Sequence, residues 1–256
     1  MLTFFGRFLG DRPLAVSSAG IIDVLARVGI SEDAVRSTLA RMVRRELLVR
    51  HKRGRQMYFA VTEHGKRILI DGKNRMSKSV SFDTDWDETW TIVSFSLPND
   101  WRHQRQDLRS QLTWAGFGLL QPGLWIAPGK VTVAEFLSEL GLLNFVTVMV
   151  GKPETPTDGA EIVNKAFQLD AIASSYRNFL ADWDSQKPWN EWPDDLARQL
   201  ILHTDWLQLV RRNSRLPAIY LPKDWPAFRA EEVFHALSNK FQAQAEAIVN
   251  PLLEVI

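Results

Sequence analysis

The 256-residue chain contains no cysteine, which excludes disulfides, thiolate metal sites and cysteine nucleophiles and suits a reducing compartment. It also lacks any run near the ~18 consecutive apolar residues of a membrane span. The apolar opening MLTFFGRFLG is short, carries Arg7 and leads into no small-residue cleavage pattern. A soluble cytoplasmic protein without membrane contact is expected. Histidine is scarce, and His51, His64, His103, His203 and His235 stand at no metal-ligand spacing. There is no phosphate-binding glycine loop and no G-x-S-x-G elbow, and Gly116-Phe117-Gly118 reads as the turn ending a helix. No catalytic residue, metal or cofactor is assigned, and the chain is not read as an enzyme.

A net charge of only +1 conceals a strong asymmetry. Residues 1–80 hold 16 Lys and Arg against 7 Asp and Glu, leaving 15 against 23 in the remainder. Charge per segment points to the partner better than charge per chain. A basic head suits phosphate, while an acidic body repels it and confines contact to the head.

Within that head, residues 31–62 read ISEDAVRSTLARMVRRELLVRHKRGRQMYFAVT with their flanking Ile30. Ser31 has an N-cap side chain, and Glu32 and Asp33 put negative charge on the positive helix end. At 100° per residue Val35, Leu39 and Met42 share one face, and Arg36, Ser37, Ala40, Arg41 and Arg44 spread over the other. Thr38 lies partway round toward the apolar side. Such a basic, small-to-polar face fits a major groove, where arginine grips guanine edges and small neighbours permit close approach. Leu47–His51 and Gln56–Val61 alternate as strands around a turn at Lys52-Arg53-Gly54-Arg55. Cations there suit the DNA backbone and set register more than sequence. Helix and hairpin together predict a winged helix-turn-helix that binds duplex DNA. Arg36, Ser37, Thr38, Arg41 and Arg44 are the candidates on the recognition helix, and Lys52, Arg53 and Arg55 those on the wing.

The rest of the chain completes an α+β plan. Helices over 2–9 and Ser18–Val28, the latter ended by Gly29, precede the recognition helix, and Thr62 caps a further helix. Residues 72–85 turn polar and aperiodic, closing a domain over 1–78. Residues 86–152 read β-α-β-β-α-β, the order of a ferredoxin-like sandwich. Residues 158–256 read as an all-helical domain, with helices near 160–184, 192–212 and 227–254.

Three stretches together resemble the phenylacetate-degradation repressor (PaaX-like) family of bacterial transcriptional regulators. They are ISEDAVRSTLARMVRRELLV, the pair WDETWTIVSFSLP and QLTWAGFGLLQPGLWIAP, and LPAIYLPKDWP. One departure is Ala227-Phe228 after Trp225-Pro226, where the family commonly has glycine. The resemblance implies a homodimeric repressor of a catabolic operon, such as one for phenylacetate catabolism. It would be released from an inverted-repeat operator by an aryl acyl-CoA effector such as phenylacetyl-CoA.

Two other readings compete. The central order also resembles the CRISPR adaptation endoribonuclease/DNase fold, whose metal-holding acid ends the first strand. Here that strand ends Phe95-Ser96-Leu97-Pro98 with Asp100 beyond, so reuse of the fold for dimerisation is expected. A non-catalytic acyl-CoA or protein-interaction module is the other. Trp114, Phe117 and Trp125 read as packing or as an aromatic-lined pocket for an acyl group, with Arg109, Arg177 or Arg211 available to the acidic coenzyme.

Overall fold

The computed structural model describes residues 1–10, 12–77, 86–184, 191–211 and 216–255. Helix α1 (Leu2–Phe4) continues as a π turn over Phe5–Leu9. It is followed by β1 (Leu14–Ser17), α2 (Ser18–Ala26), α3 (Glu32–Arg44), β2 (Leu48–Arg53), β3 (Gln56–Val61) and α4 (Glu63–Ser77). Next come β4 (Trp90–Phe95), α5 (Arg102–Trp114), β5 (Gly118–Gln121), β6 (Leu124–Pro128), α6 (Ala134–Glu139) and β7 (Val146–Gly151). The last elements are α7 (Gly159–Ala166), α8 (Leu169–Trp183), α9 (Asp195–Arg211), α10 (Ala227–Val249) and β8 (Leu253–Val255). The chain forms two compact units. One comprises Met1–Lys78, Asn178–Leu207 and Arg229–Ile256, the other Ser79–Arg177 and Gln208–Phe228.

The first unit holds an antiparallel sheet ordered β2-β3-β1-β8. Side chains alternate along its strands, so one face carries Val16, Leu48 and Phe59 into a core with Phe4, Phe5 and Phe8. Ile21, Val24 and Leu25 of α2 and Val35, Leu39 and Met42 of α3 close that core, with Leu196, Leu200, Ala245 and Val249. Ser17 Oγ caps α2 by accepting from Gly20 N at 3.0 Å, and Gly29 at φ 76° turns the chain out after it. His203 is buried in the same unit, 3.0 Å from the Gln199 amide and 2.9 Å from Ser238 Oγ. Burial, then the positive charges of Arg7 and His235, push its pKa down to about 3, so it packs as a neutral ring.

Thr62 caps α4 as expected, its Oγ1 accepting from Gly65 N at 3.0 Å. A Cβ on Gly65 would stand 2.3 Å from the backbone oxygen of Leu47 and 2.9 Å from Val61 Cγ1. Gly65→Ala is therefore expected to cost about 1–3 kcal/mol by overpacking. A chemical denaturation midpoint equal to that of the parent would contradict the close approach.

Three expectations are corrected here. Residues after 158 are not all helical, because Leu253–Val255 pairs with β1 at the register Ala15↔Glu254. The unpaired edge of β1 offers backbone hydrogen bonds, and a three-residue strand is too short for its alternation to be read. The single helix expected near 160–184 breaks at Phe167, which takes extended angles (φ −123°, ψ 128°) and buries its ring between α7 and α8 in sequence. The turn expected at Lys52–Arg55 is shorter. Arg53 pairs with Gln56, so only Gly54 and Arg55 connect the strands, Gly54 at φ 60°.

In the second unit β4-α5-β5-β6-α6-β7 forms a sheet ordered β5-β6-β4-β7 with antiparallel neighbours, the ferredoxin-like arrangement. One face packs Val93 and Trp125 with Leu108, Leu112 and Leu137 from α5 and α6. The other packs Trp90 and Ile126 with Ile162, Val163, Phe167 and Leu216. Gly116 at φ 89° ends α5, as the sequence predicts.

Candidate nucleic-acid interface

Helix α3 follows its sequence closely. Ser31 Oγ accepts from Ala34 N at 3.4 Å, and Glu32 and Asp33 occupy the first turn. Val35, Leu39 and Met42 are buried, while Arg36, Ser37, Ala40, Arg41 and Arg44 are exposed. Thr38 is half-buried, where its angular position predicts. The helix closes with Leu47 N donating to Met42 O and Glu46 N to Val43 O, both at 2.9 Å. Glu46 takes φ 55° there, the left-handed position that glycine usually fills. No acid interrupts the face between Asp33 and Glu46.

The cations on this face differ in what holds them. Arg36 directs Nε and Nη2 at Glu32 Oε1, at 2.8 and 2.5 Å. Such an exposed i,i+4 pair is worth only about 0.3–0.5 kcal/mol, so the guanidinium is readily given up to a stronger acceptor. Arg41 Nη2 donates to Thr38 Oγ1 at 3.3 Å. Among the described residues no hydrogen bond or ion pair holds the Arg44 side chain.

The β2–β3 hairpin is fixed relative to α3 because Leu48 and Phe59 share a core with Val35, Leu39 and Met42. Lys52, Arg53 and Arg55 are exposed. Arg53 alone of the three carries a described ion pair, with Glu254. Its Nη1 lies 3.1 Å from Glu254 Oε2, its Nη2 donates to Val255 O at 3.1 Å, and its guanidinium lies 5.9 Å from the centre of the Tyr58 ring. The Tyr58 hydroxyl stands 2.7 Å from Glu254 Oε1, and that contact raises the phenol pKa. Glu254 was not legible as a partner of Arg53, since 201 residues separate the two in sequence.

Family comparisons cover nearly the whole chain. "PaaX-like protein" matches residues 1–65, "PaaX protein central Cas2-like domain" residues 83–163, and "PaaX-like protein C-terminal domain" residues 167–251. The chain belongs to the PaaX-like family. It is 22% identical to the transcriptional repressor PaaX of Escherichia coli (strain K12) over 260 residues, 97% of this chain and 81% of that protein. Its fold resembles that of the uncharacterized protein Rv0674 from Mycobacterium tuberculosis, with a TM-score of 0.65, 20% identity and 96% of each chain covered.

This PaaX-like chain also has concavities in its second unit. One of about 350 Å³ is lined by Phe117, Leu119, Trp125, Phe167, Ile172 and Tyr176. A more polar one of about 810 Å³ is lined by Gln106, Arg109, Gln111, Trp114 and Gln208, and Thr113 borders both. Arg177 lies apart from these, in a third concavity of about 610 Å³ with Asp224 and Trp225. The side chain of Arg211 lies outside the described residues. Asp100 falls in the turn before α5, beyond the end of β4 at Phe95. No helix among the described residues is long and apolar enough to cross a membrane.

Proposed function

We propose that this chain is a DNA-binding transcriptional repressor of a catabolic operon, with α2 and α3 as the helix-turn-helix and β2–β3 as its wing. The exposed face of α3 carries the proposal: three arginines among small residues, uninterrupted by acid, on a helix whose opposite face is anchored in a core. Arg36, Ser37, Thr38, Arg41 and Arg44 would meet bases and nearby phosphates in the major groove. Lys52, Arg53 and Arg55 would lie along the backbone. The Escherichia coli relative, a transcriptional repressor, supports the same reading.

An inverted-repeat operator requires two heads, and the central sheet offers a surface for pairing them. Strand β7 is an edge strand on which Val148, Met149 and Val150 are exposed, and Leu143 just before it is exposed as well. An apolar, hydrogen-bond-rich edge is a template for a second copy. Reading two half-sites of an inverted repeat would require the homodimer's recognition helices to lie about one helical turn of DNA apart. Met149→Lys is expected to shift the protein toward monomer and weaken operator binding, as measured by sedimentation velocity at several concentrations. A parent that is already monomeric, or a variant that remains dimeric, would remove β7 as the interface.

The effector is an aryl acyl-CoA such as phenylacetyl-CoA. The aromatic-lined cavity suits its apolar group, and the neighbouring polar one with Arg109 suits its anionic coenzyme. Release follows only if the thioester binds the DNA-incompetent state more tightly. Nuclease footprinting upstream of the chain's own gene tests the function. Protection of two symmetric half-sites is expected, and uniform cleavage across the region would contradict it.

A further inference from the structure

The residues around Arg53 make a structure that a wing cation does not require. In this sheet Arg53 stands opposite Gln56, Tyr58 opposite both His51 and Ser17, and Ala15 opposite both Ala60 and Glu254. Residues two apart on a strand share a face. Arg53, Gln56, Tyr58, Ala60, Ala15 and Glu254 therefore lie on one face, the one turned away from the core that takes Val16 and Phe59. Two of these positions, Ala15 and Ala60, are methyl-sized and buried with Tyr58 as a small cluster of their own. They leave a low path between the end of β2 and the strand β8, over which two long side chains can meet.

Arg53 and Glu254 do meet there. The guanidinium has a carboxylate oxygen at 3.1 Å, a backbone carbonyl oxygen at 3.1 Å and the Tyr58 ring nearby. A DNA phosphate would ask for the same N–H groups, because a guanidinium binds carboxylate and phosphate oxygens with the same fork. Lys52 and Arg55, on the same hairpin, have no described ion pair.

Resting on the DNA-binding reading above, we propose that Glu254 is an intramolecular stand-in for a DNA phosphate. It occupies Arg53 in the free protein and so withholds one of the wing's three cations from DNA. Glu254 is a positioning residue that acts through Arg53, with Tyr58 holding the carboxylate from its other side. Because non-specific DNA binding is almost wholly electrostatic, the restraint falls most heavily on the wrong sequences. The device is local. Strand β8 is a three-residue edge strand, and β2, β3 and β1 pair with one another without it.

The test uses the full chain, Glu254→Gln, and a scrambled duplex over a range of salt. Glutamine keeps the length of the side chain and an acceptor for Tyr58 but removes the charge. The variant is expected to bind about two- to fivefold more tightly at low salt, the range of an exposed ion pair. Its log Kd against log[salt] should steepen by roughly one unit for the released cation. In an Arg53→Ala background the same Glu254→Gln change should do nothing. Equal or weaker binding of the single variant would overturn the proposal while leaving DNA binding intact. A gain that persists without Arg53 would also overturn it, since that gain reports only the loss of a distant acid. If neither the parent nor the variant binds any duplex, the DNA-binding reading itself fails and takes this inference with it.

Discussion

Trp206→Ala is expected to cost about 3–5 kcal/mol of stability, the range for truncating a buried aromatic. Trp206 is fully buried, its ring stacked on Phe234 at 4.6 Å and 9° and tilted against Phe179 at 5.3 Å. These three side chains, from α9, α10 and α8, belong to the same compact unit as α3 and the hairpin. The effect on DNA should follow from that shared unit: the variant loses binding as it loses folded protein, without any change at the interface. Trp206→Phe keeps a ring against Phe234 and should recover much of the loss. Urea denaturation measures both, and an unchanged midpoint for the alanine variant would show that the stack contributes little.

Arg44→Ala is expected to weaken operator binding by about 1–3 kcal/mol, roughly 5- to 150-fold, if the guanidinium reads a base. Arg44 is the most available cation of α3, exposed in the last turn with no described partner. Arg36 would first have to leave Glu32, which partly offsets its gain. A base reader loses affinity for its own site and spares scrambled DNA, whereas a phosphate contact loses both alike and flattens the salt dependence. Titrating the variant against both duplexes separates the two. Unchanged affinity would remove Arg44 from the interface.

Much of this was legible because the signals are local. The cap at Ser31, the apolar spacing of Val35, Leu39 and Met42, and the αL ending at Gly29 and Gly116 each act within a few residues. The β-α-β-β-α-β order was legible for the same reason, its strands alternating between clear stops. The breaks in the reading fall where long-range pairing decides. Strand β1 has four residues and β8 three, too few for a period, and each is held by a partner strand far away in sequence. Phe167 sits inside a helical pattern, but the core it fills with Trp90 and Ile126 draws it out of the helix. Residues 178–207 and 229–256 belong to the same compact unit as the first 78 residues, a grouping that sequence order does not carry. Arg53 was readable as an exposed cation of the β2–β3 hairpin, whereas its ion pair with Glu254 depends on the sheet order and was not.

The most direct measurement is fluorescence anisotropy of a labelled duplex from the region upstream of the chain's own gene. Protein is titrated at moderate salt against scrambled competitor, with and without phenylacetyl-CoA. The account predicts specific binding that survives the competitor and is lost when the thioester is added. Specific binding indifferent to the thioester would contradict the effector. Binding with no preference over scrambled DNA would contradict the account at its centre, the reading of α3 as a recognition helix.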